Sequence, residues 1–218
     1  RTALQFSAPA ERQRSIVVTS AQPEDGKTTV ACNLAMAVAQ GGRRVLLVDG
    51  NLRRPSLQNV FSAIKAKGLS NLLLGEGALE SFVVKTELPL LDVLGSGPLP
   101  PNPAELLGGA PCRAFLQEAT SRYDQVIIDA PPVLLASDAS VLSTLVDGVI
   151  LVVRAKENSR GVARRAIMTL SDVNAHLFGA VLNAAQVTRG GYFREQLRAF
   201  YEYQPEAGAA GSLPPKSS

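Results

Sequence analysis

The chain has 218 residues, 46% of them apolar and 19% charged, and 22 Lys and Arg against 19 Asp and Glu leave a net charge of +3. That length favours one domain with its own core, and the mild basic excess argues for neither nucleic acid nor an anionic membrane as partner. Two isolated cysteines, Cys32 and Cys112, and a single histidine, His176, exclude a disulfide framework, a zinc cluster and a two-histidine mechanism. In chain order, SIVVTS (Ser15–Ser20) reads as a strand. Lys27–Gln40 reads as a helix, apolar nearly all round and stopped by Gly41-Gly42. RVLLVD (Arg44–Asp49) follows as a strand, ESFVVK (Glu80–Lys85) carries a marginal strand signal, and LPLLDVLGSG (Leu88–Gly97) a fuller one. Then come a helix at Cys112–Arg122, the strand QVIIDA (Gln125–Ala130), a helix at Asp138–Leu145 and the strand GVILVV (Gly148–Val153). A helix at Ser159–Asn174, with Ser159 as its N-cap, leads into FGAVLN (Phe178–Asn183). Runs nearly continuous in Val, Ile and Leu are the pattern of strands covered on both faces, and their alternation with helices predicts an α/β fold. Its sheet is mostly parallel, with helices on both sides. Residues 1–203 are expected to form the domain, ending in a tyrosine-bearing segment at 192–203. The Ala/Gly/Pro/Ser-rich stretch 204–218 is expected to be disordered. No apolar run approaches the ~18–20 residues of a membrane span, and the composition predicts a cytoplasmic protein.

The first chemistry-bearing motif follows the first strand. TSAQPEDGKTT (Thr19–Thr29) carries Gly26-Lys27-Thr28 and opens directly into a helix. A strand, a tight loop and a helix N-terminus aim backbone N–H groups and the positive dipole end at an anion. In such a loop Lys27 reaches the β- and γ-phosphates and the Thr28 hydroxyl ligates Mg²⁺. The tripeptide alone carries little weight; its place between a buried strand and a buried helix is what argues against chance.

Two further strands end in an acid, Asp49 and Asp129. In a parallel sheet both emerge at the carboxyl edge, where the phosphate loop leaves the first strand and where open α/β sheets bind ligands. One such aspartate is usually a turn former; two beside a phosphate loop point to Mg²⁺ holding and to a base. Asp138 and Asp147 are weaker candidates, each able simply to cap an element.

Together these motifs resemble the cytoplasmic kinase domain of the bacterial tyrosine kinases (BY-kinases) of capsule and exopolysaccharide systems. Those are P-loop proteins related to septum-positioning and partitioning ATPases. The resemblance runs from Arg1 to about Asn183. It takes in TSAQPEDGKTTVACNLA, VLLVDGNLRRP, PPNPAELL (Pro100–Leu107), YDQVIIDAPP, SDASVLSTLVDGVILVVR and GAVLN, in that order. It implies binding of ATP or ADP with Mg²⁺ through the loop residues Glu24, Asp25, Gly26, Lys27, Thr28 and Thr29, with Asn183 near the adenine. Thr28, Asp49 and Asp129 would serve the metal, and Lys27, Asp49 and Asp129 catalysis, with Asp49 as base. Phosphoryl transfer would fall on tyrosines near the C-terminus, here Tyr192, Tyr201 and Tyr203, between subunits of a homo-oligomeric ring. The implied partners are a transmembrane polysaccharide co-polymerase, fused or separate, and a cognate phosphatase; nucleic acid is not implied. The implied location is the inner face of the cell membrane. Arg1 would end the family's E-x-x-R-x-x-R oligomerisation motif, so the chain is expected to continue a longer protein.

The chain departs from that pattern in three places. The second acid of the family's Asp-x-Asp is Asn51, which is able to orient a metal-bound water but carries no charge. Glu24 stands where a loop glycine is usual, and a side chain there restricts the backbone. The tyrosine cluster is thin. ATP binding survives these departures better than catalysis does, so a nucleotide-binding scaffold with weak or no kinase activity is the alternative. A partitioning-type ATPase is a poorer match, since Gln22 occupies the place of its signature lysine. Arg53 is weighed evenly between a site residue and a solvated arginine, and Tyr123 is expected to be structural.

Overall fold

The computed structural model describes residues 13–155 and 157–185. Strand β1 (Ser15–Ser20) leads into helix α1 (Lys27–Gln40), and β2 (Val45–Asp49) into a 3₁₀ turn at Leu57–Asn59. Two short helices, α2 (Leu69–Leu73) and α3 (Leu79–Phe82), precede β3 (Val84–Lys85) and β4 (Leu91–Leu94). Then follow α4 (Pro103–Gly108), α5 (Ala110–Arg122), β5 (Gln125–Asp129), α6 (Ser137–Ser143), β6 (Gly148–Arg154), α7 (Arg160–Asp172) and β7 (Leu177–Asn183). The strands form one sheet in the order β3-β4-β2-β5-β1-β6-β7, and every pairing except β3 with β4 is parallel.

Side chains alternate between the two faces of the sheet, and each face has its own core. Val17, Leu46, Val48, Val126, Ile128 and Leu151 pack on one side with Leu107, Phe115, Leu142 and Leu170, so helices α2 to α7 cover that face. Ile16, Val18, Val45, Leu47, Ile127 and Ile150 pack on the other with Ala31, Ala35 and Val38 of α1 and with Leu57. The central strands are wholly buried, so each Leu or Ile there contributes roughly 2 kcal/mol of apolar burial. Alanines along α1 let it lie close on the sheet, and the Gly41 and Gly42 N–H groups close its last turn on Val38 O and Ala39 O.

The predicted strands and the long helices are present within a residue or two. At Glu80–Lys85 the structure differs from the strand signal, placing its first three residues in the helical turn α3 and leaving two paired antiparallel at the sheet edge. The buried apolar side chains there, Leu79 and Phe82, are spaced for a helical face, which the run of β-branched residues masks. Likewise only Leu91–Leu94 of the 88–97 run pairs as a strand, because Leu90 turns into the left-handed region at φ 68°. The segment 192–218, with Tyr192, Tyr201 and Tyr203, lies outside the described residues.

Candidate active site

The phosphate loop runs from Ala21 to Gly26, between β1 and α1. It is bonded within itself: the Ser20 hydroxyl donates to Gln22 O at 2.7 Å, and the Gln22 N–H to Asp25 Oδ2 at 2.8 Å. Side chains at the ends of the neighbouring strands hold it from outside. Arg154 Nη1 donates to Glu24 O at 3.1 Å and Asn183 Nδ2 to Asp25 O at 2.8 Å. Asn158 Nδ2 reaches Gln22 Oε1 at 2.8 Å. Gly26 sits at φ 93°, and a Cβ there would collide with the Asn183 amide. Glu24 takes φ 64°, a conformation natural to the glycine it replaces. Helix α1 has neither a side-chain cap nor an acid in its first turn, so its N-terminal N–H groups and dipole are uncompensated by the protein.

The acids reach the same point for a geometric reason. In β2 and β5, Leu47 and Ile127 face α1; two residues on, period-two alternation turns Asp49 and Asp129 to that face too. The two are register partners at the carboxyl edge. The Thr28 hydroxyl donates to Asp129 Oδ2 at 2.6 Å, and Lys27 Nζ lies 3.5 Å from Thr28 Oγ1. Asp49 accepts from the backbone N–H groups of Ser56 and Leu57, both at 2.9 Å, and of Asn51 at 3.2 Å. Burial pushes its carboxyl up to about 6 against the pull of those donors. Burial also raises Asp129, with the Lys27 charge and the Thr28 and Ser56 hydroxyls pulling the other way.

The structure gives the surroundings of the other residues that the sequence singled out. Asn51 does not present a free carbonyl oxygen: Oδ1 accepts from Arg54 N at 3.2 Å while Nδ2 donates to Arg54 O at 2.7 Å. Arg53 is half exposed to solvent, yet its guanidinium grips Asp138 by two bonds, at 2.7 and 3.1 Å. Asp138 is accordingly the buried anchor of the loop after β2. Asp147 lies at the opposite, amino edge, accepting from Arg14 N, Ser15 N and Ser15 Oγ, and so serves only the fold. The Tyr123 hydroxyl donates to Asp92 at 2.9 Å, consistent with a structural role. Both thiols are buried, pushed up to about 12 at Cys32 and about 11 at Cys112, which makes them inert.

The residues present suit a nucleotide with Mg²⁺. The donors are all oxygen, and the buried Asp129 Oδ1 has no hydrogen-bond partner, an orphaned lone pair that a hydrated cation would satisfy. Among the described residues no cluster of three or more His, Cys, Asp or Glu could hold a metal unaided. Mg²⁺, which keeps water ligands and shares itself with phosphate oxygens, needs no such cage.

Comparison with known proteins decides the family. A model described as an AAA domain matches residues 13–178. The tyrosine-protein kinase YwqD of Bacillus subtilis is 38% identical over 189 residues, which cover 87% of this chain and 80% of that protein. The chain belongs to the bacterial tyrosine-protein kinases. The solved chimerical protein CapA2B2 aligns with TM-score 0.81 at 37% identity, covering 85% of this chain and 81% of that one. The kinase domain of the Escherichia coli tyrosine kinase ETK aligns with TM-score 0.80 at 34% identity, covering 88% and 77%. Against the whole Etk protein the match spans only 25% of its length. The septum site-determining protein MinD of Pyrococcus horikoshii, complexed with Mg-ADP, shares the fold, with TM-score 0.68 at 24% identity over 84% of this chain and 76% of that one.

Within this kinase family the nucleotide loop and the two strand-end acids were legible from sequence. Ser56 and Arg154 were not, and Asp138 stood only as a weaker candidate. Ser56 and Arg154 sit outside any phosphate-loop motif, and Asp138 acquires its role only through a partner 85 residues away.

Proposed function

We propose that the chain binds ATP with Mg²⁺ at the carboxyl edge of its sheet and transfers the γ-phosphoryl group to tyrosine hydroxyls of its own C-terminal segment. Tyr192, Tyr201 and Tyr203 are the acceptors. The observation that carries this is the meeting of Lys27, Thr28, Asp129 and Asp49 at the uncapped N-terminus of α1. Lys27 and the loop N–H groups bind and orient the phosphates. Asp49, held by three backbone N–H groups, accepts the proton of the attacking tyrosine hydroxyl, and a carboxyl near 6 is ionised at neutral pH. Thr28 and Asp129, with Asp49 beside them, would hold Mg²⁺, which would supply charge neutralisation for the transferred phosphoryl group. Asn183, bonded to the loop at Asp25 O, would by the family resemblance lie near the adenine.

By the family resemblance the same reading includes assembly into a homo-oligomeric ring at the inner face of the membrane. There the chain would work with a transmembrane polysaccharide co-polymerase, fused or separate, and a cognate phosphatase, controlling polymerisation and export. The test is a phosphotyrosine assay with MgATP, alone and with the cytoplasmic segment of such a partner. Phosphotyrosine is expected, falling at least ~100-fold in Lys27→Ala and Asp49→Asn. Its absence in both settings, with ADP binding intact, overturns the kinase reading. That outcome leaves a nucleotide-dependent scaffold, which one observation favours: Asn51 is uncharged and its amide is fully engaged with Arg54.

A further inference from the structure

Seven residues after Asp49, Ser56 is bonded to Asp49, Asp129 and Thr28 at the centre of the site. Its backbone N–H donates to Asp49 Oδ2 at 2.9 Å. Its hydroxyl lies 3.1 Å from Asp129 Oδ2 and 2.9 Å from Thr28 Oγ1. The two carboxylates stand side by side as register partners, so their charges repel, and Ser56 bridges them. The backbone that carries it is fixed on either side. Asn51 closes the preceding turn on Arg54, while Leu57, fully buried beneath α1, donates its own N–H to Asp49.

A hydroxyl has one proton to give. Thr28 spends its proton on Asp129 Oδ2. Ser56 is left with two acceptors, the Thr28 oxygen and the same Asp129 oxygen. When its proton goes to Thr28, it takes one of that oxygen's two lone pairs and sets its positive end beside a cation held on the other. When it goes to Asp129, the Thr28 lone pairs are free and the carboxylate is held in place by two hydroxyls. A cation at Thr28 therefore selects the second arrangement.

We propose that Ser56 is a positioning residue for Mg²⁺: its hydroxyl swings from Thr28 to Asp129 as the metal arrives, and it supplies the polar group that Asn51, committed to Arg54, does not offer. The inference rests on the reading of this edge as a MgATP site, and its test separates the two. ADP binding is measured calorimetrically in the purified chain, in EDTA and across a Mg²⁺ titration. Ser56→Ala is expected to raise the Mg²⁺ concentration for half-maximal enhancement of ADP binding about five- to tenfold, the scale of one hydrogen bond to a charged group. Affinity in EDTA stays at the wild-type value, and Ser56→Thr, which restores the hydroxyl, stays within about twofold of wild type. An unchanged Mg²⁺ requirement in Ser56→Ala overturns the inference, and so does an equal loss of affinity in EDTA, which would mark a merely structural serine. Should Ser56→Ala fail to fold, Ser56→Cys, similar in size but a weak donor, takes its place: a raised Mg²⁺ requirement supports the inference and an unchanged one overturns it. Wild-type protein that binds no ADP with Mg²⁺ overturns the nucleotide reading itself.

Discussion

Glu24 shows most directly how one side chain sets a local cost. At φ 64° it occupies the left-handed region, which costs a side-chain-bearing residue roughly 1–2 kcal/mol. Arg154 and Asn183 bond the carbonyls of Glu24 and Asp25, so the surrounding strand ends hold the loop in that shape. Glu24→Gly removes the strain but adds freedom to the unfolded chain, so a net gain of about 0.5–1 kcal/mol is expected in chemical denaturation. ADP affinity in the same variant should rise or stay level, since a carboxylate leaves the rim of an anion site. A fall in both quantities would show that the Glu24 side chain itself supports the loop. The identity of the departure was legible in the sequence; its φ was not, because φ is set by bonds from residues 130 and 158 positions away.

At the scale of the element, the segment from Asn51 to Leu57 organises the site. Asn51 ties both ends of its amide to Arg54, Arg53 reaches across to the buried Asp138, and Ser56 and Leu57 point their N–H groups at Asp49. Asn51→Asp restores the family's second acid but cannot donate to Arg54 O. It is expected to cost about 1 kcal/mol, read as a lowered melting temperature of the metal-free protein. If the extra charge nevertheless serves the metal, phosphotyrosine yield should rise despite that loss. Unchanged stability in Asn51→Asp would mean that the turn is held by the Arg53–Asp138 pair alone. Spacing along the chain announced this segment as a motif, and Arg54 and Asp49 are local partners, yet Asp138 of α6 and Asp129 of β5, which also hold it, lie where sequence spacing does not reach.

For the whole molecule, two acids share the buried edge of the sheet and make pH a lever on stability. The folded chain holds the Asp49 proton up to about 6, whereas the unfolded carboxyl releases it near 3.8. Between those values the native state binds more protons, so this group's contribution falls as pH rises through about 4 to 6 and stays lost above. In EDTA, wild-type stability relative to Asp49→Asn should therefore be greater at pH 4 than at pH 7, by about 2 kcal/mol. Taking the difference between the two proteins removes the opposite trend of exposed acids such as Asp124 and Glu76, whose carboxyls their partners hold low. Saturating Mg²⁺ and ADP should flatten the difference, because bound cations favour the ionised carboxylate. A difference that grows from pH 4 to pH 7 in the wild type's favour would contradict the burial argument.

Local pattern alone determined the parallel strands, the mostly apolar helix α1, the phosphate loop and the edge on which both acids emerge. Strand period, helix period and chain direction are properties of short stretches, and Leu47 and Ile127 already announce which face Asp49 and Asp129 will take. What tertiary structure decided is which donor meets which acceptor. The bonds from Ser56 to Asp129, from Arg53 to Asp138, and from Arg154 and Asn183 to the loop join residues 73 to 158 positions apart. A hydrogen bond forms only within a few tenths of an ångström of its ideal length, and such placement follows from how the sheet and helices pack, not from sequence spacing.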